Sequence, residues 1–284
     1  MQIIVGSASH ISLYEAGNAS TVAGVHTRQL PECESEATLT LDDVRGAYRD
    51  DTDAHYAPTA LVCLENTHNV MGGAAIPRSH VDDMGRMCRD ELGGVPLHVD
   101  GARIFHAAAA LGNVPVRELC GGADSVSVCL SKGLGAPVGS VLVGDAVFVR
   151  KARRARKRLG GGMRQAGVIA AMGMHALLYN VDRLGEDHDR ARRLAGELTA
   201  NGFRIPRNGR VDTNIVYFGL PDDSAVGMEE FVKRLSDEYG VRLGGGYTRP
   251  GYRGELVRVV THLDISDEGI DRAIEGIVRI CAGR

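Results

Sequence analysis

The sequence predicts an α/β protein with a large domain on a mostly parallel sheet, followed by a small C-terminal α+β domain. Three observations lead there. Short apolar runs alternate with amphipathic stretches, the pattern of strands and helices in turn. The apolar runs are nearly continuous, as strands covered on both faces require. After about Asp182 the order loosens into a short set of helices and strands with a pattern of its own.

In chain order, Gln2 to Val5 reads as the first strand, opening almost at the starting methionine. Ala60 to Leu64, Pro96 to Val99, Ser125 to Leu130 and Ser140 to Val143 read as further buried strands. Helices are predicted over Leu41 to Tyr48, Val81 to Leu92 and Val116 to Cys120. From Val147 to Tyr179 the pattern is helical but broken by Gly160-Gly161-Gly162, which costs too much in a helix interior and predicts a loop. A boundary near Gly185 divides the chain into residues 1–184 and 185–284. Beyond it come a helix (Asp189 to Thr199), a strand (Asn214 to Phe218), a helix (Met228 to Glu238), a strand (Leu256 to Thr261) and a helix (Asp267 to Ile280).

With 284 residues, the chain is long enough for two unequal domains. A net charge of −3 argues against a nucleic-acid or membrane partner. One basic run, Arg150 to Arg158, holds seven Lys or Arg in nine positions and reads as a solvated helix face. The six cysteines form no C-x-x-C pair, so no metal site is expected, and reduced thiols suit a cytoplasmic protein. No signal peptide or bilayer-length apolar stretch is visible.

Two windows carry chemistry. In SVCLSKGLGAPVGS (127–140), an apolar strand ends at Ser131-Lys132 and runs into a loop rich in Gly and Pro. A lysine at the carboxyl end of a buried strand sits where open α/β sheets bind ligands, and desolvation there suits a Schiff-base amine. The other reading is a surface lysine in a turn. In HVDGAR (98–103), Asp100 also ends a strand. It suits a partner for a pyridine nitrogen, or else an N-cap for a helix over Ala102 to Leu111.

Taken with GSASHISLYEAG (6–17), ENTHN (65–69), LGGGMRQAG (159–167) and VRVVTH (257–262), these windows resemble the motifs of the low-specificity L-threonine aldolases, in that family's order. The resemblance runs from Gly6 to the C-terminus. It implies the aspartate aminotransferase-like fold (fold type I) and pyridoxal 5'-phosphate (PLP) as cofactor. The implied activity is cleavage of L-threonine or L-allo-threonine to glycine and acetaldehyde. Lys132 is implied to hold the cofactor, Asp100 to pair with its ring nitrogen, and Arg103 to contact the same region. His10 is implied to stack on the ring and approach the substrate. His55, in AHYAPT where the family usually has IHFPRT, matches a histidine that meets the substrate hydroxyl. Arg258 is implied to bind the substrate carboxylate, and Lys157 and Arg164 to reach the cofactor phosphate of a neighbouring subunit. A homo-oligomer, dimer or tetramer, follows, with sites at the subunit interface. Glu65, Asn66 and His68 are implied to shape the site. The family also has a segment ahead of the GSASH turn, carrying a helix N-terminus for the phosphate. Its absence here gives the expectation of weak cofactor binding. Another fold-type-I PLP lyase, a hydroxymethyltransferase, and an inactive shortened oligomerisation module are the alternatives.

Overall fold

The structure, a computed structural model, describes residues 1–248 and 254–283. The chain divides into two compact units, Met1–His68 with Ala75–Asp182, and Asn69–Ala74 with Arg183–Arg284.

In the first unit the elements run β1 (Gln2–Gly6), α1 (His10–Leu13), α2 (Asn18–Thr21), β2 (His26–Leu30), α3 (Leu41–Ala47) and β3 (Thr59–Glu65). They continue with α4 (Arg78–Asp90), β4 (Leu97–Asp100), α5 (Ile104–Ala110), α6 (Val116–Leu119), β5 (Ser125–Cys129), β6 (Ser140–Gly144), α7 (Ala146–Arg158) and α8 (Gly167–Tyr179). The sheet order is β2-β1-β3-β4-β5-β6. Every pairing is parallel except β5 with β6. The sheet is thus mostly parallel, as the sequence predicts.

Apolar residues of the central strands explain this order. Ile4, Val5, Val62, Leu97 and Val99 are fully buried, and each such side chain contributes roughly 1.5–3 kcal/mol. Helix α4 lays Val81, Met84, Met87 and Cys88 inward at helical spacing. Asp145 caps α7 by accepting from the Phe148 N–H at 2.6 Å.

Several expectations shift. Helix α4 begins at Arg78, three residues before Val81. Strand β2, with the sequence HTRQL and one face open, lacks the apolar run that marks its neighbours. Asp100 is the last residue of β4, and α5 starts only at Ile104. Asp100 therefore is not a helix N-cap; its Oδ1 closes a tight turn by accepting from Ala102 N–H at 3.1 Å.

The second unit contains α9 (Leu184–Ala200), β7 (Ile215–Phe218), α10 (Met228–Tyr239), β8 (Gly244–Tyr247), β9 (Leu256–Val260) and α11 (Asp267–Cys281). Its antiparallel sheet runs β7-β9-β8. Helix α9 opens five residues before the predicted Asp189, and the short strand β8 was not expected. Leu194, Leu198, Phe218, Phe231, Val257 and Ile277 form its core. Thr213, also in this unit, donates its hydroxyl to Gly73 O at 2.6 Å.

Candidate active site

In a parallel sheet all carboxyl ends face one edge, where ligands bind. The register aligns Glu65 of β3 with Asp100 of β4, and Asp100 with Ser127 of β5. Lys132 follows three residues after β5 ends, half-buried, in a turn closed by Gly135 N–H donating to Lys132 O at 2.8 Å. His10 begins α1, four residues past the end of β1. Sequence-predicted Lys132, Asp100, Arg103 and His10 thus all stand on the carboxyl edge of one sheet.

The Asp100 carboxylate is held in place. Besides the Ala102 N–H, it lies 3.5 Å from the Ser127 hydroxyl. Its charge is felt nearby. Burial, reinforced by Asp100, pushes the Cys63 thiol up to about 12. Burial lowers the His98 pKa although Asp100 pulls the other way, and His98 Nδ1 lies 2.8 Å from the Ser125 hydroxyl. Arg103 is half-buried at the N-cap of α5. Behind Lys132, Gly133 is packed so closely that a Cβ there would lie 1.9 Å from His106 Nε2. His106 is 2% exposed, so the backbone beside the lysine rests on a fixed ring.

Around His10 the structure adds a residue that sequence reasoning missed. The His10 N–H donates to Glu65 Oε2 at 2.5 Å. Both Glu32 carboxylate oxygens accept from Ala8 N–H, at 3.0 and 3.1 Å, and Oε2 also accepts from the Ser7 hydroxyl. His68 Nε2 lies 3.1 Å from Glu32 Oε1, and its Nδ1 lies 4.0 Å from Glu65 Oε1. Burial opposes the Glu32 charge, yet the hydrogen bond and charge of His68, with the Ala8 N–H, outweigh it and hold the carboxyl below its ordinary value. No motif marks Glu32, and β2, the strand just before it, carries no apolar run from which to read its place. The His10 ring is held by Glu15, whose Oε1 is 2.9 Å from Nδ1, and lies 5.1 Å from the Tyr14 ring.

His55 is not brought to this edge. It precedes β3, at the amino end of the sheet, and its side chain is 91% exposed against Asp53. Lys157, at the end of α7, and Arg164 are both exposed. The Lys157 stem lies across Gly162, where a Cβ would come within 2.5 Å of it. In the second unit, Arg258 on β9 lines a cavity of about 530 Å³ together with Gly244, Tyr247 and His262. Its Nε is buried and has no hydrogen-bond partner among the described residues.

Residues 1–220 match the model of the beta-eliminating lyase family. The chain is 40% identical over 271 residues to low-specificity L-threonine aldolase 1 of Arabidopsis thaliana, covering 95% of this chain and 72% of that one. It is likewise 40% identical over 267 residues to the low specificity L-threonine aldolase of Escherichia coli O157:H7, covering 94% and 73%. The chain belongs to the low-specificity L-threonine aldolase family. The fold agrees: the Leishmania major threonine aldolase structure superposes with a TM-score of 0.77 at 19% identity, covering 99% of this chain and 77% of that one.

For a member of the aldolase family the cofactor is pyridoxal phosphate. The donor set fits it: a lysine amine and a carboxyl group stand at or just past the ends of adjacent parallel strands, with a histidine beyond β1. An amine takes an aldehyde as a Schiff base, and a carboxylate keeps a ring nitrogen protonated.

Proposed function

We propose that this chain cleaves L-threonine and L-allo-threonine to glycine and acetaldehyde. The observation that carries this reading is the placement of Lys132, Asp100 and His10 on one sheet edge in a chain of this family. Lys132 would hold pyridoxal phosphate, and Asp100 and Arg103 would stand beside its ring. When bound, the cofactor supplies a sink for the electron pair released from the broken carbon–carbon bond.

The residues of the chain do the rest. Asp100, tied to Ala102 N–H, holds its carboxyl group in one place, where the ring nitrogen would meet it. Glu15 engages Nδ1 of His10, which assigns Nε2 to the substrate. That nitrogen takes the proton of the substrate hydroxyl as the Cα–Cβ bond breaks, and the hydroxyl oxygen becomes the acetaldehyde carbonyl. A proton returned to Cα completes glycine. Arg258 grips the substrate carboxylate, since its buried Nε offers a donor and a guanidinium fork matches a carboxylate. A fixed carboxylate decides which bond at Cα is presented for cleavage.

The working form is a homo-oligomer, dimer or tetramer. In support, Val141, Leu142, Val143, Val168 and Leu178 on β6 and α8 are 42–72% exposed, an apolar surface of the kind that marks interfaces. In that assembly Lys157 and Arg164, both exposed, reach the cofactor phosphate of a neighbouring copy. The six free cysteines support a cytoplasmic setting. No helix among the described residues is long and apolar enough to cross a membrane.

The test is acetaldehyde release from L-threonine by the PLP-saturated protein, read through alcohol dehydrogenase and NADH. Lys132→Ala should abolish it together with borohydride-trappable cofactor. A silent parent protein, or an active Lys132→Ala, overturns the reading.

A further inference from the structure

His10 can act only if the turn that carries it is fixed, and the short helix that His10 opens supplies little of that hold. Helix α1 is four residues long, and its N-cap, Ser9, makes no side-chain cap. The side chains flanking the His10 ring are themselves open to solvent, with Glu15 and Tyr14 each 49% exposed. A solvent-exposed contact of this kind contributes little.

The anchoring comes from below. The Glu32 side chain is 3% exposed and His68 is 2% exposed. Glu32 accepts from Ser7 and Ala8, Glu65 accepts from His10, and His68 lies between the two carboxylates. Ser9 and Ser12 both donate their hydroxyls to Gly6 O at 2.7 Å, closing the turn on itself. Gly6 also leaves the room in which Glu32 sits: a Cβ at position 6 would lie 2.0 Å from Glu32 Oε1. Burying carboxylates is costly unless donors surround them, and donors placed as these are fix one geometry. The glycine, the carboxylate and the imidazole therefore meet at the one place where the His10 backbone needs a hold.

We propose that Glu32 is a positioning residue for the reaction: seated against Gly6 and braced by His68, its carboxylate holds the Ser7–His10 turn and so aims the His10 imidazole. This rests on the reading that His10 takes the substrate's hydroxyl proton. Glu32 touches neither substrate nor cofactor; it acts through the turn. Removing it takes from Ala8 N–H and the Ser7 hydroxyl the acceptor they share, and from His68 one of the two carboxylates beside it. A support of this kind is worth about 10–100-fold in rate.

The test uses the full chain with three variants: Glu32→Ala, the near-isosteric Glu32→Gln, and Gly6→Ala. The last evicts the carboxylate by pushing on the far end of a flexible side chain, so the fold should survive it. Backbone hydrogen exchange of residues 6–13, read without cofactor, should quicken by about tenfold or more in Glu32→Ala and Gly6→Ala and less in Glu32→Gln, while α4 and α11 exchange as in the parent protein. With PLP and L-threonine, Glu32→Ala should lower kcat by about 10–100-fold with KM near the parent value. Placed on top of His10→Asn, it should cost little more, because the residue it aims is already gone. Unchanged exchange overturns the proposal and leaves the function standing. An equal loss of kcat with and without His10 also overturns it. A parent protein that cleaves no threonine removes the function instead, and quickened exchange in Glu32→Ala and Gly6→Ala would still support the hold on the turn.

Discussion

Replacing Gly133 by alanine places a methyl group where the His106 ring lies. The new Cβ would stand 1.9 Å from Nε2, 2.7 Å from Cε1 and 2.9 Å from Cδ2. Ordinary contact needs about 3.5 Å, so ring and backbone must part by roughly 1.5 Å. The ring has nowhere easy to go, since it is 2% exposed on α5 between Ile104 and Ala107, both fully buried. Overpacking of this kind costs about 1–3 kcal/mol. In a domain of this size each kcal/mol lowers the melting temperature by about 2–4 °C, so a drop of about 2–12 °C is expected. The shift falls on the residue after Lys132. A displacement of about 1 Å at a reacting group can cost about 100-fold in turnover, and a loss of that order is expected in acetaldehyde release. His106→Ala should restore much of both losses, because it removes the ring that the methyl strikes. The double variant should be more stable than the sum of the singles by about 1 kcal/mol or more. Thermal melts and turnover of the four proteins measure this. Gly133→Ala melting with the parent protein, or a double variant no better than additive, would refute the packing argument.

Asp100→Ala should still allow borohydride trapping of cofactor on Lys132 but lower turnover by several orders of magnitude; parent-like turnover would reduce Asp100 to a turn-former. Arg258→Lys keeps the charge and loses the planar fork, so KM for L-threonine should rise markedly, and an unchanged KM would place the carboxylate elsewhere. His188 is buried, and its pKa is pushed down to about 4, by burial first and the Arg192 charge second, against nearby aspartates. The unfolded chain takes that proton near pH 6.5 and the folded chain only near 4, so stability falls as pH drops through this window, by up to about 3 kcal/mol. His188→Gln should flatten the acid limb of a urea-midpoint profile between those values, and an identical slope would show that another group controls it.

Much of this was legible without coordinates, and the reason is local. β3, β4 and β5 announce themselves as apolar runs because both faces of a central parallel strand are buried. Lys132 and Asp100 are legible because they end such runs. β2 was not, because as an edge strand with three exposed residues of five it carries no such pattern. β8, with the sequence GGGY, offers almost no side chains from which to read a period. Asp100 also allowed the second reading of a helix cap, because an aspartate before an apolar helical stretch commonly is one; its membership of β4, fixed by pairing with β3 and β5, removes that reading. Glu32 was out of reach for a different reason. Its partner His68 is 36 residues away, and nothing in either neighbourhood names the other.

The six residues Asn69–Ala74, which leave the first unit immediately after His68 and return to it at Ala75, have a bearing on how this chain can be divided. The second unit is not a contiguous stretch of gene. A cut at Asp182 would yield a C-terminal fragment in which the Thr213 hydroxyl has lost Gly73 O as its acceptor. The two halves cannot be shuffled as cassettes. A recombinant, a domain graft or an intein split that respects only the Asp182–Arg183 border carries a small deletion into its C-terminal product, and a designer would have to supply that hexapeptide in trans or splice it in by a new linker.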